Sequence, residues 1–159
     1  MKAFFITYKV DGRFHTHVRL EDGETIDDLL AKAEAAYYEA NFGALYDISG
    51  QQTSVVDDND HWYIDGGIWS LAKIANMKSG GYTVGFQIIG RADVTVKVKT
   101  GSTLDDVLNK ADSEFCDMDF GDLEDIGDCD TRPITVQDED DNWYLEDDTR
   151  YQEDDATIA

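Results

Sequence analysis

The stretch Gly23-Glu24-Thr25-Ile26-Asp27-Asp28-Leu29-Leu30-Ala31-Lys32-Ala33 returns 78 residues later as Gly101-Ser102-Thr103-Leu104-Asp105-Asp106-Val107-Leu108-Asn109-Lys110-Ala111. Outward from it, at the same offset, Gly12-Arg13 matches Gly90-Arg91. Phe42-Gly43-x-Leu45-x-Asp47-Ile48 likewise matches Phe120-Gly121-x-Leu123-x-Asp125-Ile126. The offset then becomes 81: Val55-x-Asp57 matches Val136-x-Asp138, and Asp60-x-Trp62-Tyr63 matches Asp141-x-Trp143-Tyr144. An ordered series with one three-residue insertion reads as a tandem repeat, not as chance.

The quoted stretch predicts a helix in each copy. Thr25 and Thr103 suit the N-cap, where a hydroxyl accepts from an orphan backbone N–H. The paired aspartates that follow put negative charge at the positive end of the helix dipole. Ile26, Leu29, Leu30, Ala33, Tyr37 and Ala40 form one apolar stripe, and Leu104, Val107, Leu108, Ala111 and Phe115 another. Gly43 and Gly121 are read as helix stops. Before each helix, Ile6, Tyr8 and Val10, or Val84, Phe86 and Ile88, alternate with polar residues as a half-buried strand does. Gly12 and Gly90 are read as the turns into a second strand, which places Phe14, Thr16, Val18 and Leu20, or Ala92, Val94, Val96 and Val98, on one face. After each helix, Asp57-Asp58-Asn59-Asp60 and Asp138-Glu139-Asp140-Asp141 predict hairpin turns.

The expected fold class is therefore α+β: a tandem duplication of a ββαββ unit, each unit packing one helix on an antiparallel sheet. The expected divisions are unit 1 at 1–65, a connector at 66–81, a strongly acidic unit 2 at 82–148 and a mobile tail at 149–159. The connector, through Ile68-Trp69-Ser70-Leu71-Ala72-Lys73-Ile74-Ala75-Asn76-Met77, reads as a short helix that is apolar on most sides. Such a helix is expected to be buried as a wedge between the units. The alternative is an exposed helix that binds a partner.

The 159 residues are 42% apolar, enough to bury a core. No apolar run reaches the roughly 18 residues of a membrane span. Met1-Lys2-Ala3-Phe4-Phe5 turns polar too soon for a signal peptide, so a cytoplasmic protein is expected, in a host cell if phage-encoded. Cys116 and Cys129 lie in the second copy without counterparts in the first, which favours free thiols over a disulfide framework.

Charge is the strongest compositional signal. The net charge is −22: residues 1–78 hold 13 acids and 7 bases, and residues 79–159 hold 22 acids and 6 bases. A small domain needs a net charge of only about 2–8 for solubility. This field opposes direct binding to nucleic acid or to an anionic membrane. The copies differ at several positions where only the second is acidic: Asn41 faces Asp119, Ala44 faces Asp122, Tyr46 faces Glu124 and Asn59 faces Asp140. The insertion adds Asp128 and Asp130.

Catalytic chemistry finds no motif. The acidic turns lack the glycine and distant glutamate of a calcium loop. His15 and His17 share a strand face without an evident third ligand for zinc. Carboxylates would discourage a thiolate at Cys116 or Cys129. No phosphate loop, dinucleotide fingerprint or nucleophile elbow occurs. A non-enzymatic protein without cofactor or metal is expected.

In size, acidity and lack of catalytic motifs the chain resembles the acidic DNA-mimic inhibitors of phages and mobile elements, which include anti-CRISPR proteins, anti-restriction proteins and uracil-DNA glycosylase inhibitors. The resemblance implies a partner with a basic nucleic-acid groove, a CRISPR effector first and a restriction enzyme second. The expected carriers are Asp117, Asp119, Asp122, Glu124, Asp125, Asp128, Asp130, Asp138, Glu139, Asp140 and Asp141. Two readings compete with it. One is a phage structural or interaction module without mimicry, such as one half of a homodimer. The other is adaptation to high salt, which predicts equal acidity in both copies and is opposed by the uneven split.

Overall fold

The computed structural model describes residues 1–127, 131–147 and 149–150. Its elements run β1 (Lys2–Leu20), α1 (Ile26–Glu39), β2 (Tyr46–Asp57), β3 (Trp62–Asp65), β4 (Ile68–Trp69), α2 (Leu71–Ile74), β5 (Gly80–Val98), α3 (Leu104–Cys116), β6 (Arg132–Asp138), β7 (Trp143–Glu146) and β8 (Thr149–Arg150). The chain is mixed α+β. All eight strands of the described residues form one antiparallel sheet in the order β4-β3-β2-β5-β1-β6-β7-β8.

Gly12 and Gly90 are not turns, which corrects the expected ββαββ units. Each lies inside a single 19-residue strand, β1 or β5. The apolar alternation never changes phase: Phe4, Ile6, Tyr8, Val10, Phe14 and Leu20 are buried, and so are Tyr82, Val84, Phe86, Ile88, Ala92, Val94, Val96 and Val98. The glycines meet a different demand. A Cβ on Gly12 would lie 2.8 Å from Leu123 Cγ, and one on Gly90 would lie 2.6 Å from Leu45 Cγ. Glycine in a strand marks such a close approach, and here each strand receives a leucine from the other half of the chain.

β1 and β5 pair along their whole length, from Lys2 opposite Val98 to Leu20 opposite Gly80. Asp11 faces Ile89, its own counterpart 78 residues on, so the register is symmetric about that point. The two halves thus share one sheet and one core. The helices form where the sequence places them. Thr103 Oγ1 accepts from Asp106 N–H, and the Asp106 carboxylate accepts from Thr103 N–H, closing a capping box that recurs at Thr25 and Asp28. Leu29, Leu30 and Ala33 of α1 are buried against the sheet, as are Leu104, Val107 and Ala111 of α3. The helices end at Glu39 and Cys116, before Gly43 and Gly121, which take φ of 59° and 58° in the following turns.

The connector is not a buried wedge. Gly66 and Gly67, with φ of 58° and 81°, form the two-residue loop of a hairpin, and Ile68–Trp69 folds back on β3 as β4. Only Leu71–Ile74 is helical, and no residue of α2 is buried. At the other end Thr149–Arg150, read as the start of a mobile tail, pairs with β7. The rest of that tail and Cys129 lie outside the described residues.

Candidate acidic interface

Nine of the eleven expected carriers fall within the described residues, whereas Asp128 and Asp130 lie outside them. The nine do not form one patch. Asp117, Asp119, Asp122, Glu124 and Asp125 occupy the turn after α3, while Asp138, Glu139, Asp140 and Asp141 occupy the β6–β7 hairpin.

The turn is fixed by its counterpart from the first half. Ala44 N–H donates to Asp119 O (3.0 Å), and Asp122 N–H donates to Asn41 O (2.7 Å), a reciprocal pair across the two halves. Asp119 Oδ1 accepts from Gly121 N–H at 2.8 Å, just as Asn41 Oδ1 accepts from Gly43 N–H at 2.9 Å. Asp122 Oδ2 accepts from Asn41 N–H at 2.9 Å. Glu124 exchanges two 2.7 Å backbone hydrogen bonds with Arg13, and its carboxylate lies 3.7 Å from His15 Nδ1. All five acids of this turn are exposed, and Asp125 takes the same left-handed backbone as its counterpart Asp47 (φ 52° and 50°).

The hairpin divides its four acids by role. Asp138 has no exposed side-chain surface. Its Oδ1 accepts from the Asp140 and Asn142 amides at 2.9 and 3.0 Å. Its Oδ2 accepts from Asn142 Nδ2 at 3.1 Å and Tyr144 O–H at 3.0 Å, and Lys2 Nζ lies 3.0 Å away. Burial pulls this carboxyl upward, but the Asn142, Lys2 and Tyr144 bonds outweigh it and hold the pKa well below the usual carboxylate range. Asp138 therefore organises the turn and cannot present charge to a partner. Glu139, Asp140 and Asp141 are exposed. Glu139 N–H donates to Ala3 O at 3.0 Å, and Asp141 shares a φ of 63° with Asp60.

The two groups sit at different levels of β1. Glu124 is bridged to Arg13, and Glu139 is bonded to Ala3. Ten residues of strand at about 3.3 Å each separate those levels by roughly 33 Å. Sequence reasoning missed what lies between them. Tyr8 donates its hydroxyl to the exposed Asp112 of α3, while Phe115 stacks on the Tyr8 ring at 4.3 Å. Burial first, and then the Asp112 bond, push the Tyr8 phenol up. The helical stripe carried the signal: Asp112 directly follows the buried Ala111.

The opposite face of the central strands is different in kind. The side chains between the buried ones on β1 and β5 include Lys9, Arg13, Arg19, Arg91 and Lys97, against Asp11 and Asp93 alone among acids. Lys9 stands opposite Arg91 on one side and Arg132 on the other. The central strands thus contribute more bases than acids to this face, and Glu124, Asp58 and Glu21 from neighbouring segments reach His15, His17 and Arg19 on it. His15 and His17 are exposed on it, and His17 Nε2 lies 3.0 Å from Asp58 Oδ1. No cluster of three or more metal-binding side chains occurs among the described residues. A cleft of 420 Å³ between the β2–β3 hairpin and the start of β5 is lined by Asp57, Asp58, His61, Tyr63 and Lys78. Cys116 is a free, exposed thiol. No described helix is long and apolar enough to cross a membrane.

No protein-family model matches the chain, and neither a curated protein nor a solved structure is significantly similar to it.

Proposed function

We propose that this protein is a non-enzymatic inhibitor whose carboxylates stand in for nucleic-acid phosphates in the basic groove of a defence nuclease, with a CRISPR effector as the target. The observation that carries this reading is the series of exposed acids at successive levels of β1: Asp119, Asp122 and Glu124, then Asp112, then Glu139 and Asp140. Its span of roughly 33 Å is close to one turn of duplex, about 34–36 Å. A groove evolved for phosphates would meet like spacing of charge on a folded body, with association steered fast and weakened by salt.

Asp138 belongs to the scaffold in this reading, and Asp112 joins the presenting residues. We also infer that the chain arose by duplication. The unit is a long strand, a helix and three shorter strands rather than ββαββ. The matched residues and the symmetric β1–β5 register support it.

The experiment is plasmid interference in cells carrying a CRISPR system, with and without this protein. The expected result is restored transformation, lost when Asp119→Asn, Asp122→Asn, Glu124→Gln and Asp140→Asn are combined with the circular dichroism spectrum retained. Relief of a restriction system instead, through the same acids, would move the target to a restriction enzyme. Relief of neither, with capture only of partners whose surfaces are neutral or acidic, would leave the module without mimicry as the better reading.

A further inference from the structure

The two edges of the sheet are guarded unequally. Among the described residues β8 ends one edge, where Glu146 and Asp147 bring charge that discourages strand pairing. β4 ends the other with Ile68 and Trp69, which are 78% and 44% exposed, and no described strand lies beyond it. Leu71 (72% exposed) and Trp62 (45%) widen the apolar surface there. Ile68 and Trp69 match Thr149 and Arg150 at the offset of 81, and the second half pairs its strands with those polar residues instead.

We propose that the β4 edge is a homodimer interface, in which a second copy of this chain pairs antiparallel with β4 and extends the sheet. Three observations favour a second copy as the occupant. The first is self-complementary charge: Asp65 and Lys73 line the same 460 Å³ cleft as Trp62, Ile68 and Trp69. A twofold axis at Trp69, which sets that residue opposite itself as identical antiparallel strands require, brings the Asp65 end of one copy alongside the Lys73 end of the other, and an isologous interface repeats each such contact twice. The second is local neutrality: residues 61–81 carry one acid and two bases in a chain of net −22. Self-repulsion is thus least at this edge, and charges farther off are screened beyond about 8 Å at physiological salt. The third is the chemistry of an uncovered edge, whose main-chain groups are satisfied by another antiparallel strand.

Sedimentation equilibrium of the full chain tests this. At about 0.15 M salt the expected mass is twice 17.8 kDa, and dimerisation tightens as salt rises and screens the net charge. Ile68→Lys is expected to give a folded monomer, with the circular dichroism spectrum unchanged because the side chain is exposed. Asp65→Lys alone is expected to weaken the dimer about tenfold or more, about 1.4 kcal/mol. Combined with Lys73→Asp, it should recover. A wild-type chain that stays monomeric at about 100 µM, well above a micromolar Kd, overturns the proposal. So does a dimer indifferent to Ile68→Lys, or a charge swap that restores nothing. The readout involves no nuclease, so it stands or falls apart from the inhibitory reading.

Discussion

The hairpin that closes on Asp57 and the hairpin that closes on Asp138 are built alike. In each, the aspartate accepts from the amides two and four residues on and from a tyrosine hydroxyl six residues on. They differ in what surrounds the carboxylate. Asp57 keeps 14% of its side-chain surface, and its added neighbour is His61 at 3.2 Å. Asp138 keeps none and has Lys2 at 3.0 Å, because Lys2 has only Gly80 as its counterpart 78 residues on. Residues common to the halves build the scaffold, and residues particular to one half adjust burial and charge on it.

The largest expected effect tests the common scaffold. A Cβ on Gly43 would lie 2.1 Å from Asp119 O, and one on Gly121 would lie 2.1 Å from Asn41 O. Both obstacles are backbone, and both glycines need a left-handed φ. Gly43→Ala and Gly121→Ala should therefore each cost about 3–4 kcal/mol, and nearly equally. Urea denaturation measures this. A large inequality between them would break the equivalence of the two turns.

The next effect tests the difference. Asp138→Ala leaves the Tyr144 hydroxyl buried without an acceptor and leaves the Lys2 ammonium only the more distant Asp140, at a cost of about 2–3 kcal/mol. Asp57→Ala should cost less, because its ring of donors is more open to water and includes no lysine. Equal costs in thermal or urea unfolding would mean that the buried ion pair contributes nothing beyond the shared turn.

These residues show how much could be read from sequence. Helices, caps and the two Asp-rich hairpins were legible because local chemistry decides them: a threonine before paired aspartates, or an Asp-rich run between apolar alternations; the Gly66–Gly67 hairpin, hidden in an apolar stretch, was not. The continuity of β1 was legible too, since Phe4 to Leu20 keep one phase through Gly12, whereas glycine alone suggested a turn. The partner of Gly12 was not legible. Leu123 reaches it from more than a hundred residues away, and only tertiary pairing places it there. In the candidate site the repeat itself held the answer. Asp125, Asp138 and Asp141 match acids in the first half, and all three hold turn geometry. Asp119, Asp122, Glu124 and Asp140 replace neutral residues, and all four are exposed.

pH sharpens the same contrast. Burial raises the Asp57 carboxyl, but hydrogen bonds from His61, Tyr63 and Asn59 win and leave it at about 2, below its usual 3.8. Asp138 is depressed in the same direction. A depressed folded pKa means that the stabilisation is present above the unfolded value, near pH 4, and is lost as pH falls toward 2. Stability should therefore drop across that window. Asp138→Asn should flatten the drop, as read by thermal midpoints at stepped pH. An unchanged slope would assign acid sensitivity to other carboxylates.

The smallest effect bears most directly on function. Asn41 already makes, from the first half, the bond that Asp119 makes in the second, so the turn does not require the charge at 119. Asn59 likewise occupies the hairpin place of Asp140. Asp119→Asn and Asp140→Asn should leave the backbone unchanged. Asp119→Asn should be neutral or stabilising by up to about 0.5 kcal/mol, since it removes like-charge repulsion at an exposed site. Raising the salt of the unsubstituted chain should stabilise it in the same sense, by screening that repulsion. If instead either asparagine destabilises the fold measurably at low salt, the carboxylate there serves the turn and need not be kept for a partner. A charge that the fold tolerates losing, and gains by losing, is one whose retention calls for a use outside the fold.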